Sequence, residues 1–321
     1  MKPLRAELIA DRGAAASGPE FFRCPTFLLV EGVTHSLVIG GGRIVLPVIR
    51  RDVPGVGHDA ISPYGYPGGL RRGDPPHVAD VDFTGIGLIS LFVRERLGAP
   101  TLRGGVVRGS VLVNEPSRPR AVNPTMARKV RSNERLGYRF EAVPSAAVDD
   151  DLLFAFERAY VETMRDAAAD QRYYFGTDYL RACLLFDSSW LVLVRGPEGD
   201  LASAAIAAIS DGYLHCFLSG TADIHRARSP AKNMMIGMLD LSDKLGLPLN
   251  LGGGMRGRDS LHTFKARFTN TTAEFVTHDV VCDHVAYAHL TADRDPTSYF
   301  PAYRAPRTAG VLTAPTVRRG P

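Results

Sequence analysis

Lys265 is where a chemical reading of this sequence starts. It stands in "LNLGGGMRGRDSLHTFKARF" (249–268), which reads as a buried strand, a glycine-rich turn and a short helix. With helical residues 100° apart, Leu261, Phe264 and Phe268 share one apolar stripe. Lys265 lies about 60° from the centre of that stripe, and Arg267 roughly 90° away on the other side. A lysine at the edge of a buried face is costly unless it is paired or employed. Employed, it is a cation in a dry cleft that stabilises a developing oxyanion or holds a phosphate. Otherwise it snorkels along the helix to water. Asp259 is placed to cap this helix. Gly252, Gly253 and Gly254 either let a substrate backbone approach closely or make a tight turn needing positive φ.

Other residue types add chemistry elsewhere. Arg226, Arg228 and Lys232, with Asn233 beside them, flank a helix start at Ser229–Pro230, where the helix N-terminus and three cations attract phosphate. The bland reading is a solvated basic turn. Between Glu115 and Phe140 stand seven basic residues against two acids, and Arg128, Arg131 and Arg135 share a helical face. That face either follows a nucleic-acid or nucleotide backbone or is merely solvated. His215 alternates with Tyr213 and Phe217 on one strand face, as a general base or as a structurally bonded histidine. Tyr64 and Tyr66, in "SPYGYPGG", either line an acceptor cleft or pack a Pro/Gly loop. Tyr174 is the aromatic of its own segment that reaches such a cleft.

These residues need elements to hold them. A chain of 321 residues with 45% hydrophobic and 22% charged residues is a folded globular protein with room for two domains. A net charge of +4 excludes a globally polycationic binder, so any polyanion is held by a local patch. Of the 38 basic residues only Lys2, Lys129, Lys232, Lys244 and Lys265 are lysine. Four cysteines with no CxxC pair argue against zinc and against a disulfide framework. No run of about 18 apolar residues appears, and the N-terminus carries acids where a signal peptide needs an apolar run, so a cytoplasmic protein without membrane partners is expected.

The first half, 1–145, reads as short strands at "TFLLVEG", "HSLVIG" and "RIVLPVI". A Gly/Pro loop, a helix near "FTGIGLISLFVRERLG" and a strand near "GGVVRGSVLVNE" follow. A basic helix begins after Pro124. The second half, 146–292, reads as two helices, a meander of three strands, a helix opened by Ser229 and Pro230, then strand, helix, strand, helix. Residues 293–321 form a polar tail, expected to be partly disordered. Periodicity alone gives only α+β.

The stretches "YVETMRDAAADQRYYF", "YLHCFLSGT", "SPAKNMM", "LNLGGGMRGRDSLHTFK" and, in the first half, "SPYGYPGG" resemble the FemABX-type branch of the GNAT superfamily. The resemblance covers roughly residues 20 to 290. It implies two tandem GNAT-like domains, the first degenerate, each a mixed and mostly antiparallel sheet flanked by helices. It also implies transfer of an amino acid from aminoacyl-tRNA to an amine, with no cofactor and no metal. Phe264 would then shape the pocket, and Lys265 would meet the oxyanion or a terminal phosphate. Arg226, Arg228, Lys232, Asn233, Arg128, Arg131 and Arg135 would serve the tRNA, and Tyr64, Tyr66, Tyr174, His215 and the three glycines the acceptor. Two departures stand out. The helical arm common in that branch is missing, and "RARSPAKNM" replaces the glycine turn with which acetyl-CoA enzymes hold a pyrophosphate. Compact relatives occur in peptidyl-nucleoside antibiotic pathways of the pacidamycin type, which suggests a peptide or peptidyl-nucleoside acceptor, with alanine as the guess for the donor residue. The rivals are a cell-wall precursor transferase, an acyl-CoA-dependent N-acyltransferase and a non-catalytic precursor-binding module.

Overall fold

The computed structural model describes residues 2–253, 260–294 and 299–305. The first half supplies β1 (Leu4–Ile9), α1 (Pro25–Val30), β2 (His35–Ile39), β3 (Ile44–Val53), β4 (Gly57–Ile61), β5 (Leu70–Arg71), β6 (Val81–Asp82), β7 (Ser90–Arg94) and β8 (Val106–Asn114). Then come α2 (Pro124–Arg135), β9 (Arg139–Pro144), α3 (Asp150–Asp166), α4 (Thr177–Leu184), β10 (Ser189–Arg195), β11 (Leu201–Ser210) and β12 (Tyr213–Thr221). The chain continues as α5 (Ala231–Leu245), β13 (Leu249–Gly252), α6 (Ser260–Lys265), β14 (Thr271–Val281) and α7 (His284–Thr291).

The described strands join in one sheet, ordered β6-β1-β2-β3-β4-β7-β14-β8-β13-β12-β11-β10-β9, with β5 beside β3. The architecture is one large, mostly antiparallel sheet flanked by helices. In space the halves interlock: β14 lies between β7 and β8, and β8 pairs onward with β13. Toward the other edge β9 pairs with β10, and α2 is clamped to α5 by Asn133 Nδ2 donating to Asn233 Oδ1 at 2.8 Å.

The alanine-rich run of β11 explains the layering. Ala204, Ile206 and Ala208 face a core built with α1, α3 and α4, while Ala205 and Ala207 face one built with α5. All five are fully buried, and their small side chains let helices pack closely on both faces. α4 ends at Leu184 and β10 begins at Ser189, so no helical arm intervenes.

Two sequence readings are corrected. "TFLLVEG" is not a strand: Pro25 at the first helical turn starts α1, which buries Phe27 and Leu28. "SLFVR" is not helical, because pairing with β14 and β4 makes it β7, with Leu91 and Val93 alternating into the core. The described part of the tail, 299–305, is anchored on the first half and α7. Phe300 stacks on Tyr287, the Tyr303 hydroxyl donates to Asp59 Oδ2 at 2.9 Å, and Arg304 ion-pairs with Asp59.

A buried clamp ties the Phe21–Arg23 turn to the β11–β12 hairpin. Arg23, 2% exposed, donates to both Asp211 carboxylate oxygens at 2.7 and 2.9 Å, and Arg96 adds a third contact at 3.0 Å. Asp211→Ala leaves a buried guanidinium without its counter-ion. We expect it to cost about 3–5 kcal/mol in urea unfolding, and a loss under about 1 kcal/mol would show that the clamp is dispensable.

Candidate functional site

The site exists because two neighbouring strands part. β12 and β13 run parallel and pair only at Leu214–Leu249 and His215–Asn250. Beyond those pairs Cys216 to Ser219 of β12 and Leu251 to Gly253 at the end of β13 line opposite sides of a cleft of about 710 Å³. Much of the remaining wall comes from Tyr64–Tyr66, the end of β7, the middle of β8, Tyr160, Tyr173 and α6, so both halves contribute.

At the base of the split a hydrogen-bonded chain holds the geometry. A carbonyl only accepts, so His215 Nε2 carries the proton that it donates to Ser210 O at 3.2 Å. Its Nδ1 accepts from Asn250 Nδ2 at 3.0 Å. Asn250 Oδ1 in turn accepts the Gly252 N–H at 2.8 Å and fixes the turn. Burial, opposed by the bond to Ser210, lowers the His215 pKa to about 4. With both ring nitrogens engaged and the ring neutral, His215 is a structural pin in the cleft wall and not a general base. Tyr66 packs on it at 5.2 Å between centroids, and burial raises the Tyr66 pKa against an opposing bond to Asn250.

Lys265 reaches this turn. Its Nζ donates to Gly253 O at 3.4 Å. Gly252 has φ +72°, and a Cβ there would meet Lys265 Nζ at 3.6 Å and the Tyr66 hydroxyl at 3.7 Å. Glycine therefore serves both the backbone conformation and the space that ammonium and phenol share. Gly65 does a comparable job in "SPYGYPGG": with φ +89°, a Cβ would lie 2.4 Å from the Phe22 ring. Gly254 and the Asp259 cap lie outside the described residues.

Two expected members of the site lie elsewhere. Phe264 is not in the cleft wall: it packs edge-on against Phe268 at 5.4 Å and anchors α6 on the α5 core. Leu261, expected on the buried stripe, lines the cleft instead and is 39% exposed. Tyr174 is displaced by its neighbour, since the short 3-10 turn Gln171–Tyr173 puts Tyr173 in the wall, edge-on to Tyr64 at 6.1 Å.

The residues that sequence reasoning missed change the electrostatics. Arg94 and Arg108 line the cleft with Lys265, and no carboxylate does so among the described residues. Arg108 ion-pairs with Asp279. Arg94 donates to the Ser62 and Pro63 carbonyls at 2.8 and 3.3 Å and lies 5.1 Å over the Phe92 ring. Burial lowers its pKa, with Glu31 acting against that. The i, i+2 spacing of Phe92 and Arg94 signals a shared face once the segment is read as a strand. Burial also raises the Cys216 pKa, with Lys265 pulling the other way.

The basic candidates outside the cleft sort differently. Arg226 is taken up by Asp166 and Asp223. Asn233 is fully buried in the clamp with Asn133 and does not reach solvent or ligand. Ser229 is left-handed at φ 55° and gives α5 no side-chain cap, contrary to expectation. The first amides of α5 are already committed, Lys232 N–H to Ser229 O at 3.2 Å and Asn233 N–H to Pro230 O at 2.9 Å. Arg128, Arg131, Arg135 and Arg228 lie outside the cleft wall, on the helix α2 and the turn before α5. Lys232 sits near Lys129 and Arg267, and burial followed by those two charges lowers its pKa. Arg267 O accepts from Asn123 N–H at the start of α2, so this trio continues from α6.

Among the described residues no cluster of acids, histidines and cysteines is arranged to hold a metal, and no helix is long and apolar enough to cross a membrane. No protein-family model matches the chain, and no curated protein matches it either. Solved structures do share the fold. FemX aligns with a TM-score of 0.55 and 11% identity, over 79% of this chain and 89% of its own. The C-terminal domain of a putative lysylphosphatidylglycerol synthetase from Agrobacterium fabrum aligns at 0.53 and 14%, over 82% and 89%. L-PGS from Bacillus licheniformis aligns at 0.51 and 10%, over 80% and 84%.

The histidine pin makes stability depend on pH. The unfolded chain takes up this proton near 6.5 and the folded chain only at about 4, so the unfolded state binds more protons in that window. Stability is full above the window and falls as pH drops through it. Urea midpoints measured between about pH 7 and 4 will decline less steeply in His215→Gln than in the wild type. Identical slopes would contradict the assignment.

Proposed function

We propose that the chain is an aminoacyltransferase that moves an amino acid from aminoacyl-tRNA to an amine. The observation that carries this reading is the aromatic cleft, lined by no carboxylate among the described residues, with Lys265 Nζ beside the Gly252–Gly253 turn. The donor ester is already activated, so the protein's task is to position and to stabilise charge. The acceptor nitrogen attacks the ester carbonyl carbon, the tetrahedral oxyanion collapses, the C–O bond to the ribose breaks and an amide forms. The proton shed by the amine ends on the ribose oxygen, directly or through water. Lys265 stabilises the oxyanion and the departing oxygen.

The cleft also explains why a protein base is dispensable. Cations with no lining carboxylate disfavour an ammonium, so the acceptor binds as the neutral amine that can attack. Arg267, Lys232 and Lys129 form a basic cluster between the end of α6 and α2, along which the tRNA acceptor end lies, with Arg128 and Arg131 beyond. The folds of FemX and the lysylphosphatidylglycerol synthetases support aminoacyl transfer in general. A peptide or peptidyl-nucleoside acceptor in antibiotic biosynthesis, with alanine transferred, is the finer reading. The committed amides at the start of α5 and the missing glycine turn weigh against acyl-CoA.

With tRNA charged by labelled amino acids and pooled peptide amines, Lys265→Ala will lower kcat about 10²–10³-fold and ribonuclease will abolish transfer. Transfer from acetyl-CoA alone, or undiminished transfer by Lys265→Ala, overturns the reading. Replacing Lys129, Lys232 and Arg267 by alanine will flatten the salt dependence of tRNA binding, by about 0.7–0.9 in log–log slope for each phosphate no longer neutralised. An unchanged slope removes the cluster from the RNA path.

A further inference from the structure

Arg94 occupies an unusual place for a cation. It is the last residue of β7, half-buried, in a wall shared with Tyr64, Phe92 and Tyr173. Its hydrogen bonds go to the neutral Ser62 and Pro63 carbonyls, and no carboxylate among the described residues forms an ion pair with it. The nearby acid, Glu31, is already engaged, accepting the Tyr64 N–H at 2.6 Å and the Tyr179 hydroxyl at 2.5 Å. The neighbouring Tyr64 phenol stays protonated, its pKa pushed up to about 12 by desolvation first, and so offers a hydrogen rather than a charge. The wall therefore presents a guanidinium and a phenolic donor with no lining carboxylate among the described residues, in an aromatic setting that weakens screening. A half-buried guanidinium whose nearby acid, Glu31, is turned to other donors is only partly compensated in the empty protein. An arriving anion removes that cost, and a planar guanidinium fork is the group best shaped to receive a carboxylate or a phosphate.

We propose that Arg94 and the Tyr64 hydroxyl form an anion subsite for the acceptor, so that the molecule receiving the aminoacyl group carries a carboxylate or a phosphate as well as its nucleophile. The subsite rests on the transferase reading for its purpose and on the first-half wall for its existence. Lys265 serves the donor ester from α6, and Arg94 selects the acceptor from β7. Amines that carry no anionic group are disfavoured by failing to supply the counter-ion, and those held as simple cations by repulsion.

The test measures binding by calorimetry with the full chain and no tRNA, so it does not depend on transfer. The probes are Ala-Ala with a free carboxylate, its C-terminal amide, phosphoethanolamine and ethanolamine. At least one anionic probe will bind about tenfold or more tighter than its neutralised counterpart, as one charge-assisted contact implies. The preference will vanish in Arg94→Gln and weaken in Tyr64→Phe, which guards against misfolding of the first variant. Preference for the carboxylate points to a peptide or amino-acid acceptor, and preference for the phosphate to a nucleotide or a lipid headgroup. Equal affinity for charged and neutral probes, binding of neither, or a preference retained by both variants overturns the subsite. Anion preference without transfer from any charged tRNA keeps the subsite and loses the transferase. Transfer without anion preference does the reverse.

Discussion

Everything at the site depends on where β12 and β13 stop pairing. Two pairs of residues hold them together, and then they diverge, which in a sheet is expensive because ladder groups lose their partners. The His215–Asn250–Gly252 chain compensates at the fork. It fixes the imidazole tautomer, orients the asparagine and sets the turn that Lys265 reaches. Polar groups buried this fully are specific only when every member is satisfied, and this chain satisfies each ring nitrogen and both ends of the asparagine amide. The remainder of the fold keeps the fork in place: β11 lets helices approach on both faces, and β14 ties β7 to β8, which pairs with β13.

The charge distribution follows from that construction. The first half brings Arg94 and the tyrosine-bearing loop to the mouth, and the second brings Lys265 on a short helix that Phe264 and Phe268 pin to the core. Neither half makes a cleft alone. A wall with cations, phenols and no carboxylate among the described residues suits negative charge, whether that of a phosphate, a carboxylate or a tetrahedral oxyanion. The same wall disfavours an ammonium, as the proposed transfer to a neutral amine would require.

Much of this was legible in the sequence, for reasons that differ by residue. Helices α3 and α5 and the β10–β12 meander carry strong periodicity and clear turns, and Lys265 stands out at the edge of an apolar stripe. Arg94 was hidden because "SLFVRERLG" suits a helix as well as a strand, and only pairing with β14, far along the chain, decides between them. Tyr173 and Tyr174 are indistinguishable by type, and one 3-10 turn selects the first. Arg226 reads as a phosphate ligand until Asp166, at the end of another helix, claims it. Phe264 sits beside the site residue in sequence yet faces the core, which is what adjacency on a helix implies. Local pattern yields elements. Which side chains meet is a property of the assembled sheet.

If the cleft receives the aminoacyl end of an RNA, binding alone will reveal it. The most direct measurement is equilibrium binding of a short acceptor-stem RNA bearing its amino acid through a stable 3′-amide, compared with the same RNA uncharged and with coenzyme A. We expect the aminoacyl RNA to bind most tightly, Lys265→Ala to remove the advantage conferred by the amino acid, and coenzyme A not to compete. Competitive binding of coenzyme A, with no gain from aminoacylation, would contradict the proposed role.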